Sequence, residues 1–162
     1  MPPQTRGRKP RQSEYGKRLV EKQRAKREYG VRERQFRRYF ELAQTIRSAT
    51  GSKLLELLER RLDNVLYRLD LAQTRRQARQ WINHGHVNLN GKRMSIPSYQ
   101  VKIGDEIRLE AAQLAVSRGS EVPSWLKPAG KGKTAGTVQA LPNREDIAID
   151  IDEQMIVEFY SR

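Results

Sequence analysis

The stretch TRRQARQWINHGHVNLNGK, residues 74–92, decides the fold because a helical pattern changes to an alternating one within it. Thr74 predicts a helix start: its hydroxyl can accept the amide of Gln77, whose side chain can reach back to the Thr74 amide as a capping box. Gly85 is placed to end the helix in the left-handed conformation, which glycine adopts at little cost. The first half of the segment therefore predicts a short capped helix.

The second half of the segment has a period of two. Val87 and Leu89 alternate with polar residues, and the dipeptide Asn90–Gly91 is a strong signal for a two-residue hairpin turn. A second hairpin is predicted around Gly104–Asp105, between SYQVKI and EIRL. Together these signals predict a small antiparallel sheet beside the helix.

The predicted helix has one apolar and one polar side. At 100° per residue Ala78, Trp81 and Ile82 cluster, and the polar face comprises Arg75, Arg76, Arg79, Gln80 and Asn83. We expect the three guanidiniums to point outward together and, with Lys92 and Arg93 after the turn, to form one concave cationic surface. The planar fork of arginine binds phosphate oxygens bidentately. The pattern favours structured RNA, which is recognised by shape and phosphate position.

Composition supports a polyanionic partner. The 162 residues carry a net charge of +13, and residues 1–50 hold fifteen basic and five acidic side chains. Such an excess is typical of nucleic-acid binding. The absence of cysteine excludes disulfides and thiolate metal sites. Apolar runs are too short for a membrane span, so we expect a soluble intracellular protein.

Further elements are predicted along the chain. Residues 1–13 are predicted to form a basic arm, and residues 14–49 two helices divided at Gly30. The segment SKLLELLERRLDNVLYRLD, residues 52–70, predicts one helix with a core stripe of Leu54, Leu58, Leu62, Val65 and Leu69. Residues 117–144 read as a loop, residues 147–151 as a strand, and residues 155–160 as a helical turn that covers the N-terminal aromatic residues.

Three alternative sites compete with RNA binding. His84 and His86 supply only half of a tetrahedral metal shell, so no metal is predicted. AGKGKTAG fails as a phosphate-binding loop because Lys127 stands where that motif needs glycine. The triplet at residues 61–63, Arg-Leu-Asp, also carries the catalytic aspartate of pseudouridine synthases. We expect instead that Asp63 forms a helix-surface ion pair with a nearby arginine.

A family resemblance rests on three segments. RLDNVLYRLDLAQTRRQARQWINHGHVNLNGKRMSIPSYQVKIGDEI, residues 61–107, closely resembles the S4 RNA-binding domain. The flanks EYGKRLVEKQRAKREYGVRERQFRRYF and LPNREDIAIDIDEQMIVEFYSR resemble the small-subunit ribosomal protein S4 family of bacterial or organellar type. The chain begins where an additional N-terminal segment of many members ends, and a zinc site of that segment is not carried over.

The resemblance implies an α+β fold. A helical rRNA-binding domain is built from residues 14–60 and 140–162, and an S4 RNA-binding domain, residues 61–125, is inserted between them. Residues 126–139 are then expected to be a linker. The S4 domain combines helices with a small antiparallel sheet.

The resemblance also implies a non-catalytic constituent of the small ribosomal subunit, monomeric within a cytoplasmic or organellar ribosome and without cofactors. It would bind 16S-type rRNA, nucleate assembly of the subunit body and support translational accuracy. Ribosomal protein S5 and mRNA, where it enters the subunit, are the other expected partners. Two alternatives stay open: an S4-domain RNA-modifying enzyme resembling pseudouridine synthases, and a repressor that binds mRNA.

The residues expected to contact RNA fall into two groups. The S4 domain contributes Arg75, Arg76, Arg79, Gln80, His84, His86, Asn90, Lys92 and Arg93. The arm and first helices contribute Arg6, Arg8, Lys9, Arg11, Lys17, Arg18, Lys22, Lys26, Arg27, Arg34, Arg37 and Arg38. The second group is expected to add mostly electrostatic affinity.

Overall fold

The computed structural model describes residues 13–46, 49–110, 119–129 and 134–161. Its fold is α+β, as predicted. The helices are α1 (Glu14–Tyr29), α2 (Glu33–Gln44), α3 (Thr50–Glu59), α4 (Leu62–Arg68), α5 (Arg75–Asn83) and α6 (Glu153–Tyr160). The strands are β1 (Val87–Leu89), β2 (Lys92–Arg93), β3 (Glu106–Leu109), β4 (Leu126–Ala129) and β5 (Ala135–Val138). No helix in these ranges is long and apolar enough to cross a membrane.

One hydrophobic core joins α1, α2, α3 and α6, which we call the helical unit. Helix α1 ends before Gly30, whose φ of +66° confirms the predicted division between the first two helices. Tyr160 of α6 stacks on Phe40 of α2 with ring centroids 4.5 Å apart. The prediction that the C-terminal segment covers the N-terminal aromatic residues is therefore confirmed.

A second core joins α4, α5 and the sheet, which we call the sheet unit. All strand pairs are antiparallel, in the order β2-β1-β3-β5-β4. The β1–β2 turn places Asn90 at φ +52° and Gly91 at φ +82°, which is the geometry of a two-residue hairpin. This confirms the hairpin predicted at Asn90–Gly91.

The single helix predicted over residues 52–70 is wrong, because the chain breaks between α3 and α4. Arg61 has an extended backbone, with φ −64° and ψ 138°. The first amides of α4 donate outside the helix, Leu62 N to the Tyr99 carbonyl at 2.9 Å and Asp63 N to the Pro97 carbonyl at 3.1 Å. The leucine stripe consequently serves two cores, with its first half in the helical unit and its second half in the sheet unit.

The linker predicted at residues 126–139 is also wrong. The described part of this stretch forms β4 and β5, and β5 pairs with β3 by placing Gly136 opposite Ile107. The second hairpin fails for a related reason: a turn exists at Gly104, but the partners of β3 are β1 and β5 rather than residues 98–103. The other predicted domain boundaries stay a prediction.

The strand predicted at residues 147–151 is an extended segment without a sheet partner in the described chain. The backbone carbonyls of this segment accept hydrogen bonds from the guanidinium of Arg144 instead of from a neighbouring strand. It donates to the carbonyls of Ile147, Ile149 and Ile151 at 2.9, 3.3 and 3.2 Å. Ile147 and Ile151 are buried in the helical unit, so this segment leads the chain into α6.

Candidate nucleic-acid interface

Helix α5 carries the arginines on which the predicted interface depends. The Thr74 hydroxyl accepts from the Gln77 amide at 3.0 Å, as predicted. The side chain of Gln77 accepts a hydrogen bond from the backbone amide of Gln73 at 2.8 Å rather than from that of Thr74. The second bond of the capping box therefore forms one residue earlier than predicted. Both contacts satisfy amides at the helix start, and they fix where the helix begins. Gly85 follows the helix with φ +82°, as expected.

Arg75 does not point outward, and this part of the prediction is wrong. The residue is only 8% exposed. Its guanidinium donates to the Glu28 carbonyl at 2.8 Å, to the Glu28 carboxylate at 2.9 Å and to Asn64 Oδ1 at 2.9 Å. It also lies over the rings of Tyr67, at 4.3 Å, and Tyr29, at 5.0 Å. Arg75 therefore joins α5 to the end of α1.

Helical geometry explains the difference between Arg75 and its neighbour. On a wheel of 100° per residue, Arg75 lies about 20° from the buried Ile82, whereas Arg76 lies about 120° from it. Arg75 thus stands at the border of the apolar face. A long side chain at that border can extend to an acceptor on another helix.

Arg79 occupies an intermediate position. One of its terminal nitrogens donates to the carbonyls of Tyr29 and Gly30 at 3.4 and 3.3 Å, and it lies 3.5 Å from the Asp63 carboxylate. The side chain keeps 28% of its surface exposed. Arg75 and Arg79 together meet the last carbonyls of α1, where cations also interact favourably with the helix dipole.

Arg76 and Gln80 are exposed, as predicted. Arg76 has no acidic partner among the residues that the structure describes. Helix α5 thus presents one free guanidinium rather than three. The other two arginines serve mainly to hold the sheet unit against the helical unit.

The residues predicted at the β1–β2 turn also divide into one that stabilises the fold and others that are exposed. Asn90 is a structural residue: its amide donates to Asp105 at 2.9 Å and its oxygen accepts from the Glu106 amide at 2.9 Å. Lys92 and Arg93 are exposed on β2, and Arg93 packs over Gly85. The turn therefore places two cations beside the end of α5.

The two histidines lie at the end of α5 with their rings 6.4 Å apart. His84 is exposed, and Nδ1 of His86 lies 3.2 Å from the carboxylate of Glu110. Within the described ranges, no group of three or more His, Asp or Glu side chains could hold a metal ion. His84 is thus the histidine with the freer access to a partner.

Several basic residues predicted for RNA contact in the helical unit are instead committed to carboxylates. Lys22 is 5% exposed and lies 2.6 Å from Glu33, which also accepts Lys26 at 2.9 Å. Burial opposes ionisation of Glu33, but these hydrogen bonds outweigh it and lower its pKa to about 2. Arg18 pairs with Glu158 at 3.1 Å.

Lys22 is the clearest correction in this set. Its ammonium also lies 4.8 Å from the centre of the Phe159 ring, so it faces α6 rather than solvent. Lys17 forms only an exposed pair with Glu14, at 3.4 Å. Contacts of this exposed kind are weak, so Lys17 stays accessible.

The other residues of the helical unit that were predicted to contact RNA are exposed. Helix α2 buries Phe36 and Phe40, and its other side carries three exposed arginines, Arg34, Arg37 and Arg38. Arg37 makes a loose pair with Glu41 at 3.6 Å, both side chains being largely exposed. Arg27 is exposed at the end of α1. The predicted contacts Arg6, Arg8, Lys9 and Arg11 lie outside the described residues.

Arg32 is not among the residues predicted from the sequence to contact RNA. This exposed residue precedes α2 and lines a cavity of about 450 Å³ between the two units. The cavity is lined from the other side by Arg61 and Arg79. Arg32 stood in the sequence among the arginines that surround the α2 aromatics, but only the fold shows which of them reaches the junction.

The alternative catalytic residue Asp63 is fully buried. Arg61 donates to both of its oxygens, at 3.2 and 3.1 Å, and the Asn64 amide donates at 2.7 Å. The predicted ion pair exists, but it is buried rather than on a helix surface. A carboxylate held in this way is not accessible to a nucleoside.

Comparison with known proteins identifies the family to which the chain is similar. Residues 1–59 match the model of the ribosomal protein S4/S9 N-terminal domain, and residues 60–107 match that of the S4 domain. The small ribosomal subunit protein uS4 of Dictyoglomus turgidum is 52% identical over 99% of this chain and 82% of its own length. The chain belongs to the uS4 family. The uS4 protein of Gloeobacter violaceus is 53% identical over 93% of this chain and 76% of its own length.

Membership of the uS4 family decides between the classes of function. The family consists of structural proteins of the small ribosomal subunit, so the prediction that the chain is not an enzyme is confirmed. The chain accordingly takes part in translation as a component of the ribosome. The burial of Asp63, the residue of the enzyme alternative, agrees with a protein that is not an enzyme.

Proposed function

We propose that the chain binds small-subunit rRNA directly through a surface of outward-facing cations, which we call the basic surface. It comprises Arg76, Lys92 and Arg93 of the sheet unit and Arg27, Arg32, Arg34, Arg37 and Arg38 of the helical unit. One observation carries the proposal. The structure separates basic residues that are paired with acids or carbonyls, whether buried or exposed, from an exposed set that is almost free of acidic partners.

The buried polar contacts that join the two units support this function. Glu59 is fully buried, accepts Tyr29 Oη at 2.8 Å and pairs with Arg68 at 2.6 Å. Burial, followed by the charge of Glu59, raises the pKa of the Tyr29 hydroxyl well above its usual value, so the hydroxyl stays a hydrogen-bond donor. A surface fixed in advance loses little entropy when it binds a folded RNA.

The wider role follows from uS4 membership together with this preformed surface. We propose that the chain binds 16S-type rRNA early and nucleates assembly of the subunit body. Its neighbours would be ribosomal protein S5 and the mRNA that enters the subunit, with a contribution to translational accuracy. The proposed setting is a cytoplasmic ribosome, or an organellar one. Residues 14–60 with 140–162, and residues 61–139, are the proposed domains.

A filter-binding titration with a fragment of small-subunit rRNA tests the proposal. If phosphates are neutralised, the logarithm of the association constant falls by about 0.7 to 0.9 per logarithm of salt for each phosphate contacted. Arg76→Ala should weaken binding about tenfold or more, because charge-assisted hydrogen bonds contribute about 1.5 to 3 kcal/mol each.

Arg18→Ala is the matched control, because it removes an equal charge that is already paired with Glu158. Its affinity should stay within about threefold of the wild type, since the Glu158 carboxylate already engages the Arg18 guanidinium at 3.1 Å. A nearly flat salt slope, or equal affinities of the two variants, would refute the proposed surface. Tighter binding to an mRNA leader than to rRNA would favour the repressor alternative.

A further inference from the structure

A groove at the junction of the two units has the properties of an anion site. Its volume is about 450 Å³. The helical unit supplies Arg32, Gln35 and Gly30, and the sheet unit supplies Arg61, Arg79 and Ser98. Each unit thus contributes at least one guanidinium to the same groove.

The groove has an excess of positive charge. Three arginines line it, and two of them contact the carboxylate of Asp63, which is fully buried, held by Arg61 at 3.1 and 3.2 Å and 3.5 Å from Arg79. Glu33, the neighbour of Arg32 in sequence, is engaged by lysines of α1 at 2.6 and 2.9 Å. Arg61 and Arg79 therefore share one carboxylate and Arg32 has none within the described ranges, so the three guanidiniums carry an excess of two positive charges over Asp63.

The arginines differ in how much hydrogen-bonding capacity they keep. Arg61 uses all three of its nitrogens, two on Asp63 and one on the Tyr39 hydroxyl at 3.0 Å. Arg79 makes only long contacts of 3.3 to 3.5 Å, all through one nitrogen. Arg32 is exposed, and no side-chain partner is found for it within the described ranges. Arg32 and Arg79 can therefore receive a ligand from opposite walls.

The close approach of Arg79 depends on Gly30. A Cβ atom at position 30 would overlap the Arg79 guanidinium, and the φ of +66° at this residue also favours glycine. The uncharged groups of the groove are the hydroxyl of Ser98 and the amide of Gln35, and both are hydrogen-bond donors. A phosphate group matches this set, because its oxygens accept from forked guanidiniums and from neutral donors alike.

We infer that this groove seats one backbone phosphate of the bound RNA between Arg32 and Arg79. The inference rests on the proposed RNA binding and adds to it a defined position. One phosphate would then contact both units at once. Binding of RNA and docking of the two units would stabilise each other by the same factor, since linkage is reciprocal.

Arg32→Gln tests the site, because Arg32 is exposed and its loss leaves the buried network intact. Lys127→Gln is the matched control: it also removes an exposed charge, but Lys127 lies on β4, outside both the groove and the basic surface. Titration with the rRNA fragment should show a loss of affinity of about tenfold or more for Arg32→Gln. The salt slope should decrease by about 0.7 to 0.9. The control should lose less than about threefold.

Inorganic phosphate provides a second measurement without RNA. At constant ionic strength, phosphate in place of chloride should raise the melting temperature of the wild type and of Lys127→Gln, and raise that of Arg32→Gln less. If the wild type binds RNA but Arg32→Gln binds it as tightly as Lys127→Gln does, the groove inference fails and the proposed function stands. If the wild type does not bind RNA, the proposed function itself fails. A phosphate effect that depends on Arg32 without any effect on RNA affinity would assign the groove to a free anion and overturn the inference.

Discussion

Replacing Arg75 by methionine should destabilise the protein, although the residue lies in a segment rich in arginines. The change keeps a long apolar side chain but removes three hydrogen bonds of 2.8 to 2.9 Å and the cation over Tyr67 and Tyr29. Breaking a buried ion pair costs about 3 to 5 kcal/mol. Since Glu28 is 48% exposed and regains water, the lower end applies, about 3 kcal/mol.

Thermal unfolding followed by circular dichroism measures this effect. For a chain of this length, about 3 kcal/mol corresponds to a decrease of about 6 to 12 °C in melting temperature. Arg76→Ala is the control, because Arg76 is one position along the same helix and exposed, and its melting temperature should hardly change. An unchanged melting temperature for Arg75→Met, accompanied by weaker RNA binding, would show that Arg75 faces the RNA and would refute the reasoning.

Three further predictions concern other parts of the fold. Gly30→Ala should lower the free energy of unfolding in urea by more than Gly104→Ala. Both positions have positive φ, but a Cβ at position 30 would displace the Arg79 guanidinium from the Tyr29 and Gly30 carbonyls, whereas a Cβ at position 104 meets no atom. Equal losses would contradict a stabilising role of these Arg79 contacts. Asn90→Ala should lower the free energy of unfolding by about 1 to 3 kcal/mol, because it removes the bond to Asp105 and strains the turn. Asn90→Gly should lower it less, because glycine adopts the positive φ of the turn at little cost. Equal urea midpoints for the two variants would refute the role of φ. With a folded-state pKa of about 2, below its usual value of 4.5, Glu33 contributes stability above about pH 4.5, and this is lost as the pH falls through about 2. Urea midpoints of the wild type and Glu33→Gln should therefore converge between pH 5 and pH 2, and a constant difference would contradict the pairing.

Signals that act within a few residues could be predicted from the sequence. Gly30 and the Asn90–Gly91 turn depend on backbone conformations that few residues adopt readily, and the structure confirms both. The docking of α6 on the N-terminal aromatic residues was also predictable, because both apolar segments needed a partner to bury them.

The strands β4 and β5 could not be predicted because their stability comes from distant partners. LKPA and AGTV contain proline, glycine and alanine and have no clear alternation. Their pairing depends on β3, which lies almost thirty residues earlier than β5. The same long-range pairing displaced the hairpin predicted around Gly104.

For the candidate site, the sequence could predict the kind of residue and the helix on which it lies. It could not predict which cations would turn inward, because that depends on acceptors from other elements. Arg75 is held by the end of α1, and Lys22 by Glu33 of α2. Long basic side chains can bury their stems and place the charge at a distant acceptor. Burial of such residues is therefore decided by tertiary structure.

The end of helix α1 receives its caps from arginines 47 to 50 residues further along the chain. This dependence limits how freely the S4 domain can be exchanged between proteins. Grafted into another host, α5 would bring two guanidiniums without the carbonyls that receive them. The chain left behind would keep a helix whose last carbonyls had lost their donors. A transferable version of the domain must therefore include the last turn of α1 together with Gly30.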